Sequence, residues 1–268
     1  QNISSTTHSN PPTVPKSNRK YKQILIILGL IAVATLVLRT PKAEQQSYIA
    51  HYAGKIDGVG YTNSLEAIEN SIAKGMRHIE IDLIYTSDDS LVAVHDWEKI
   101  NRMNGQDSNA PMTYREFKNS KIMGKYTPLD ATQVDSVMLA NPTITLVTDK
   151  TSDPEVLNKY FSNIRDRVIV EAVNPDNYFE LKKSGYKKVL HRNMLPLSQW
   201  IEAAIKHKGI VNTFVCYHED YGNRSVLRKM VDNLFNCKYA LYAVESKALA
   251  DSIMERHSDV EFVYINRP

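Results

Sequence analysis

The chain has 268 residues, 43% of them apolar and 24% charged, with 11 Pro, 10 Gly and 2 Cys. That suffices for one barrel-sized core and excludes a disordered acidic chain, a collagen-like repeat and a disulfide-stapled miniprotein. The net charge of +3 is gathered at one end, where Lys16, Arg19, Lys20 and Lys22 precede any acid. The remainder is slightly acidic, so no nucleic-acid partner is expected.

Residues 1–23, rich in Ser, Thr, Asn and Pro, read as a disordered cytoplasmic tail. Residues 24–38 contain no charge and are bracketed by Lys22 and Arg39. Fifteen residues fall short of the roughly 20 of a spanning helix, but both flanking cations can snorkel and Tyr21 suits an interface. No small-x-small cleavage site follows directly, so a retained transmembrane anchor is expected rather than a cleaved signal. The basic cluster puts the N-terminus in the cytoplasm and the rest outside the membrane. Residues 39–46 form a linker, and 47–268 the folded domain. Cys216 and Cys237 could pair in an oxidising compartment, but the apolar surroundings of Cys216 favour buried free thiols.

In chain order, strands are expected at Tyr48–Tyr52, His78–Tyr85, Leu91–His95, Thr143–Thr148, Val168–Val173, Lys188–His191, Thr213–Tyr217, Tyr239–Val244 and Glu261–Ile265. Helices are expected at Ser64–Lys74, Pro154–Ser162, Pro175–Lys183, Ser198–Lys208, Ser225–Asn236 and Ser246–His257. Asn63 with Glu66 suggests a capping box, and Gly75 a helix end. Such alternation predicts an α/β fold, a TIM-type (β/α)8 barrel, with Asp96–Asp130 as a loop-rich insertion. Chemistry should then sit at the C-terminal strand ends.

In His78–Leu83 the strand period puts Glu80 and Asp82 on one face and Ile79, Ile81 and Leu83 on the other. If the isoleucines face the helices, the carboxylates point into the barrel, about 7 Å apart, and require a proton or a cation. Oxygen ligands favour a hard ion, Mg²⁺ or Ca²⁺. His51 and His95 each stand near a strand end, where they could act as general acid and base. Glu171 is a further acid at the same mouth, and His191 and His218 read as structural histidines. Trp97 and Met103 in the insertion either contact an apolar part of the substrate or close the insertion's own core.

Ile49-Ala50-His51-Tyr52-Ala53, Thr62-Asn63-Ser64, Ile79-Glu80-Ile81-Asp82-Leu83 and Val92-Ala93-Val94-His95-Asp96 resemble, in order and spacing, the opening motifs of the glycerophosphodiester phosphodiesterase family. Leu241-Tyr242-Ala243-Val244 and Asn266-Arg267-Pro268 look like its later ones. The resemblance implies a metal-dependent phosphodiesterase with His51 and His95 as acid–base pair and Glu80 and Asp82 as metal ligands. It also implies Lys150 as a phosphate contact. Tyr242 is expected to pack in the barrel or to line the pocket wall, where it would be a substrate-binding residue. Three departures stand out. The family's phosphate-binding arginine is Tyr52, which can donate one hydrogen bond but carries no charge, and its following glycine is Ala53. The glutamate of the second motif is Thr62. The Glu-x-Lys of a later strand is Thr148-Asp149-Lys150; aligning the lysines puts the ligand at Thr148, aligning the acids at Asp149. A strand end at Asp149 would let both Asp149 and Lys150 face the mouth, so Asp149 is the expected third ligand. The expected substrates are glycerophosphodiesters, lipids or an envelope polymer. Phospholipase-D-like action on lysolipids and an inactive envelope binding protein are the alternative functions.

Overall fold

A computed structural model describes residues 47–268 apart from Glu245. The expected tail, anchor and linker (residues 1–46) lie outside the described residues. No described helix is long and apolar enough to cross a membrane.

Eight parallel strands close into a barrel: β1 (Ser47–Ala50), β2 (His78–Tyr85), β4 (Thr145–Asp149), β5 (Val168–Ala172), β6 (Lys188–Arg192), β7 (Thr213–Tyr217), β8 (Lys238–Val244) and β9 (Val260–Ile265). Closure comes from β1, which pairs with β2 on one side and β9 on the other. The strands are apolar on both faces, as parallel strands covered by helices must be. Ile49, Val147, Ile169, Leu190, Val215, Ala240, Phe262 and Tyr264 fill the inside. A larger layer, including Ile79, Ile81, Leu83, Leu146, Val170 and Val189, packs outward against the helices. Each such side chain contributes about 1.5–3 kcal/mol through its burial.

All nine expected strands form, with one difference of topology. β3 (Leu91–Ala93) is not a barrel strand but the antiparallel partner of β2, with Leu83 opposite Ala93 and Tyr85 opposite Leu91. The short turn at Ser87–Ser90 between two apolar runs favours a hairpin, since a parallel return needs a crossover of a dozen or more residues. His95 therefore stands two residues beyond a hairpin strand, and His51 sits in a 3-10 turn after β1, which ends at Ala50.

The insertion is more ordered than expected. It carries α2 (Trp97–Met103) and α3 (Tyr114–Asn119), which follow α1 (Leu65–Ala73), and it has its own core of Val92, Val94, Trp97, Ile100, Phe117, Ile122 and Tyr126. Trp97 and Met103 belong to that core. A further helix, α4 (Ala131–Ala140), leads back to β4. The six expected helices, α1 among them, form within a residue or two of their expected bounds.

The capping box at Asn63 is corrected: Ser64 is the N-cap of α1, its Oγ accepting the Ala67 N–H at 3.2 Å. Glu66 instead accepts from the Thr127 amide and hydroxyl at 2.8 and 2.7 Å, tying α1 to the insertion. Cys216 and Cys237 are both buried and free, and burial pushes each thiol up to about 12.

The helix Val226–Leu234 is inverted. Its charged Arg228 and Asp232 point inward, while Val226, Leu227 and Met230 are exposed. Asp232 accepts from Arg228 Nε at 2.7 Å and Arg224 Nη1 at 2.9 Å, and Arg224 also reaches Asp259 at 3.1 Å. Asp232→Ala leaves the buried Arg228 guanidinium without a carboxylate, while Arg224 keeps Asp259, so a loss of about 3–5 kcal/mol in urea unfolding is expected.

Candidate active site

Strand alternation delivers the acids as expected. Glu80 and Asp82 point inward and are almost fully buried, while their neighbours Ile79, Ile81 and Leu83 join the outer core. Asp149 is the register partner of Asp82 on β4. One carboxylate oxygen from each of Glu80, Asp82 and Asp149 lies within 4.8 Å of the others. β4 ends at Asp149, and Lys150 turns into the left-handed region at φ 69°, so both residues reach the mouth.

The backbone around the acids is shaped to hold them. Tyr52 adopts φ 44°, which aims its N–H at Glu80 Oε2 at 2.5 Å. Asn63, also left-handed at φ 45°, brackets Asp82: its Nδ2 donates to Oδ2 at 3.0 Å and its Oδ1 accepts the Asp82 N–H at 3.2 Å. Left-handed non-glycine residues carry a conformational cost that persists only where surrounding contacts fix them. The buried Glu80 Oε1 has no hydrogen-bond partner. Burial, then the charges of Asp82 and Glu171, holds the Glu80 carboxyl well above its ordinary range. An orphaned carboxylate oxygen beside two further acids, with no sulfur or imidazole ligand, suits a hard divalent cation.

Above the acids lies a cavity of about 360 Å³. His51, His95, Glu80, Asp149 and Lys150 line it, as does Tyr242, half-buried against the inner core. His51 Nδ1 is 3.0 Å from Asn266 Oδ1, and His95 Nδ1 is 2.5 Å from Asp96 Oδ2. With a donor N–H on each Nδ1, both imidazoles have Nε2 left for a substrate. Burial lowers the His51 pKa below the usual imidazole value, against the opposing pull of Asn266 and Asp82. Asp96 is the N-cap of α2, accepting the Lys99 N–H at 2.6 Å; burial raises its carboxyl, but that bond and His95 bring it below its ordinary range. The amide of Val94, one residue before His95, donates to the Asp82 carbonyl at 3.0 Å, locking the hairpin onto the acid strand.

Tyr52 does not act as the sequence allowed. It is fully buried and does not line the cavity; its ring lies 4.1 Å from that of Tyr61 and fits only because Gly60 has no side chain. A Cβ at Gly60 would fall 2.8 Å from the Tyr52 ring. Tyr61 carries the aromatic contact onward to His95, with ring centroids 4.8 Å apart. Glu171 lines the cavity outside the three-acid cluster; it accepts the Tyr264 hydroxyl at 2.5 Å, and burial pushes it up to about 7. His191 is buried on the outer side of β6 and His218 lies in a separate cleft.

Sequence reasoning missed Arg192, Tyr61, Tyr217, Tyr264 and Asn266, all of which line the cavity. Arg192 could have been found by parity, because Lys188, Leu190 and Arg192 share a face, but the strand was expected to end at His191. A larger, open depression of about 760 Å³ lies on the insertion, and none of the acids or histidines above line it.

The profile of the glycerophosphoryl diester phosphodiesterase family matches residues 50–194, more than half of the chain. The chain belongs to this family. Its members are phosphoric diester hydrolases, and the matched span holds both histidines and all three clustered acids. Solved structures share the fold at low identity. A glycerophosphodiester phosphodiesterase from Parabacteroides distasonis is 17% identical, with a TM-score of 0.61 over 83% of this chain and 93% of that one. One from Thermotoga maritima is 17% identical, with a TM-score of 0.59 over 85% and 96%. A phosphodiesterase from Oleispira antarctica, solved in complex with the product sn-glycerol-3-phosphate, is 15% identical, with a TM-score of 0.62 over 84% and 94%. No curated protein matches the chain.

Proposed function

We propose that the chain hydrolyses glycerophosphodiesters with a divalent cation held by Glu80, Asp82 and Asp149, using His51 and His95 as a proton-transfer pair. The observation that carries this reading is the acid cluster directly beneath a cavity lined by both imidazoles. When bound, Mg²⁺ or Ca²⁺ would supply charge neutralisation at a phosphate oxygen. A substrate hydroxyl beside the diester attacks phosphorus and breaks the bond to the leaving alcohol; water then opens the resulting cyclic phosphate. His51, kept neutral by burial, is the group suited to take the proton of the attacking hydroxyl. His95, oriented by the contact of its Nδ1 with Asp96 Oδ2, is suited to protonate the leaving alkoxide. In the second step the roles reverse, His95 activating water and His51 returning its proton to the ring oxygen.

The uncharged run of residues 24–38, with basic residues on its N-terminal side, supports a tethered enzyme working outside the cytoplasmic membrane, next to lipid or polymer phosphodiesters. The test is release of glycerol phosphate from a soluble glycerophosphodiester by the full chain. Turnover should require added Mg²⁺ or Ca²⁺ and vanish with chelator. Turnover that is indifferent to chelator would overturn the metal-dependent reading.

A further inference from the structure

A phosphodiester brings a negative charge into a cavity already crowded with acids, so its binding needs cations that face it. Among the described residues that line the cavity, the permanent candidates are Lys150 and Arg192. The position after His51 supplies none, because Tyr52 is uncharged and packed away beneath Tyr61. Lys150 directly follows Asp149 at the end of β4, its Nζ 3.8 Å from Asp149 Oδ2.

Arg192 is placed differently. It is the last residue of β6 and shares the inward face with Leu190, whereas Val189 packs outward. Around the barrel, β6 is fifth of eight strands counted from β1, directly across from the wall that carries His51. Its Nη2 is ion-paired with Asp149 and its Nε lies 3.9 Å from Glu171 Oε2. Asp149 pairs with the guanidinium and Glu171 stands beside it at the cavity wall. A planar guanidinium fork with five N–H donors, set in the cavity wall beside these acids, is the group that suits phosphate.

We infer that Arg192 is the phosphate anchor of this chain, binding a non-bridging phosphate oxygen from the wall opposite His51. This assignment rests on the reading of the cavity as a phosphodiesterase centre. It places the phosphate between the acid cluster and β6, so that the anchoring charge enters from across the barrel rather than from the first strand. The competing role for Arg192 is to position Asp149 alone.

The experiment measures binding of inorganic phosphate and of sn-glycerol 3-phosphate to the full chain by calorimetry, at saturating Mg²⁺ or Ca²⁺. Wild type, Arg192→Gln and Arg192→Lys are compared, with the affinity for the cation itself measured separately and thermal melts as the folding control. Arg192→Gln should weaken both phosphates by about 10- to 100-fold and raise KM for the diester, with cation affinity changed by less than about threefold. Arg192→Lys should recover part of the loss. Equal phosphate affinity in wild type and Arg192→Gln, no phosphate binding by wild type, or a loss that tracks a fall in cation affinity would each overturn the assignment. Failure of the proposed function reads differently: phosphate would bind through Arg192 while wild type turned over no diester.

Discussion

Replacing His51 with Ala should lower kcat for glycerophosphodiester hydrolysis by about 10²- to 10⁴-fold and leave the barrel folded. The imidazole lies in a 3-10 turn outside the strand ladder, so its removal breaks no barrel hydrogen bond. His95→Ala should act comparably, since each histidine serves one end of the same displacement. The pH profiles separate the two. Burial lowers the His51 pKa, so the wild-type kcat/KM should stay high as pH falls through the ordinary imidazole value of 6.5, declining only on the acid side of it. In His51→Ala that acid limb should disappear. An unchanged kcat in both variants, measured at saturating divalent cation, would remove the histidines from the mechanism.

Glu80→Gln should abolish turnover and yet stabilise the cation-free protein. In the absence of an ion, Glu80 carries an unpartnered oxygen beside Asp82, and burial with its acidic neighbours holds it well above its ordinary range. An acid raised in the folded state imposes no penalty below its unfolded pKa and lowers stability as pH climbs past it. Glu171 behaves alike, raised from 4.5 to about 7. The urea midpoint of cation-free wild type should therefore fall between pH 4.5 and about 7, with Glu171 alone accounting for at most about 3 kcal/mol. Added Mg²⁺ or Ca²⁺ should offset the Glu80 share. Glu80→Gln removes that share outright, so at neutral pH its cation-free midpoint should rise by the equivalent of roughly 1–3 kcal/mol while stabilisation by the ion is lost. A cation-free variant less stable than wild type would show that the acid cluster is not under repulsion.

What the sequence disclosed, and what it withheld, follows from the range of the signals. Alternation in β2 was enough to separate Glu80 and Asp82 from the isoleucines, because apolar and acidic residues strictly interleave there. The abrupt change from Thr143–Val147 to a loop marked the strand end that brings Asp149 and Lys150 to the mouth. Arg192 escaped because the strand was expected to end one residue earlier, at His191, so the alternation that puts it on the inward face with Leu190 was not carried as far as it. Asn63 carries the same local signature whether it caps a helix or grips Asp82 nineteen positions away; only the folded chain distinguishes them. Asn266 and Tyr264 reach the site from the last strand, through contacts that leave no trace in neighbouring residues.

The hairpin that carries His95 has one more consequence. Glu80 and Asp82 are fastened by the closed ring of parallel strands, whereas His95 rides on a small apolar cluster that the ring does not enclose. Melting of that cluster would carry one imidazole away and leave the carboxylates where they are. Loss of activity on heating is therefore expected at a lower temperature than loss of the barrel's circular dichroism, and Trp97→Ala should lower the first more than the second.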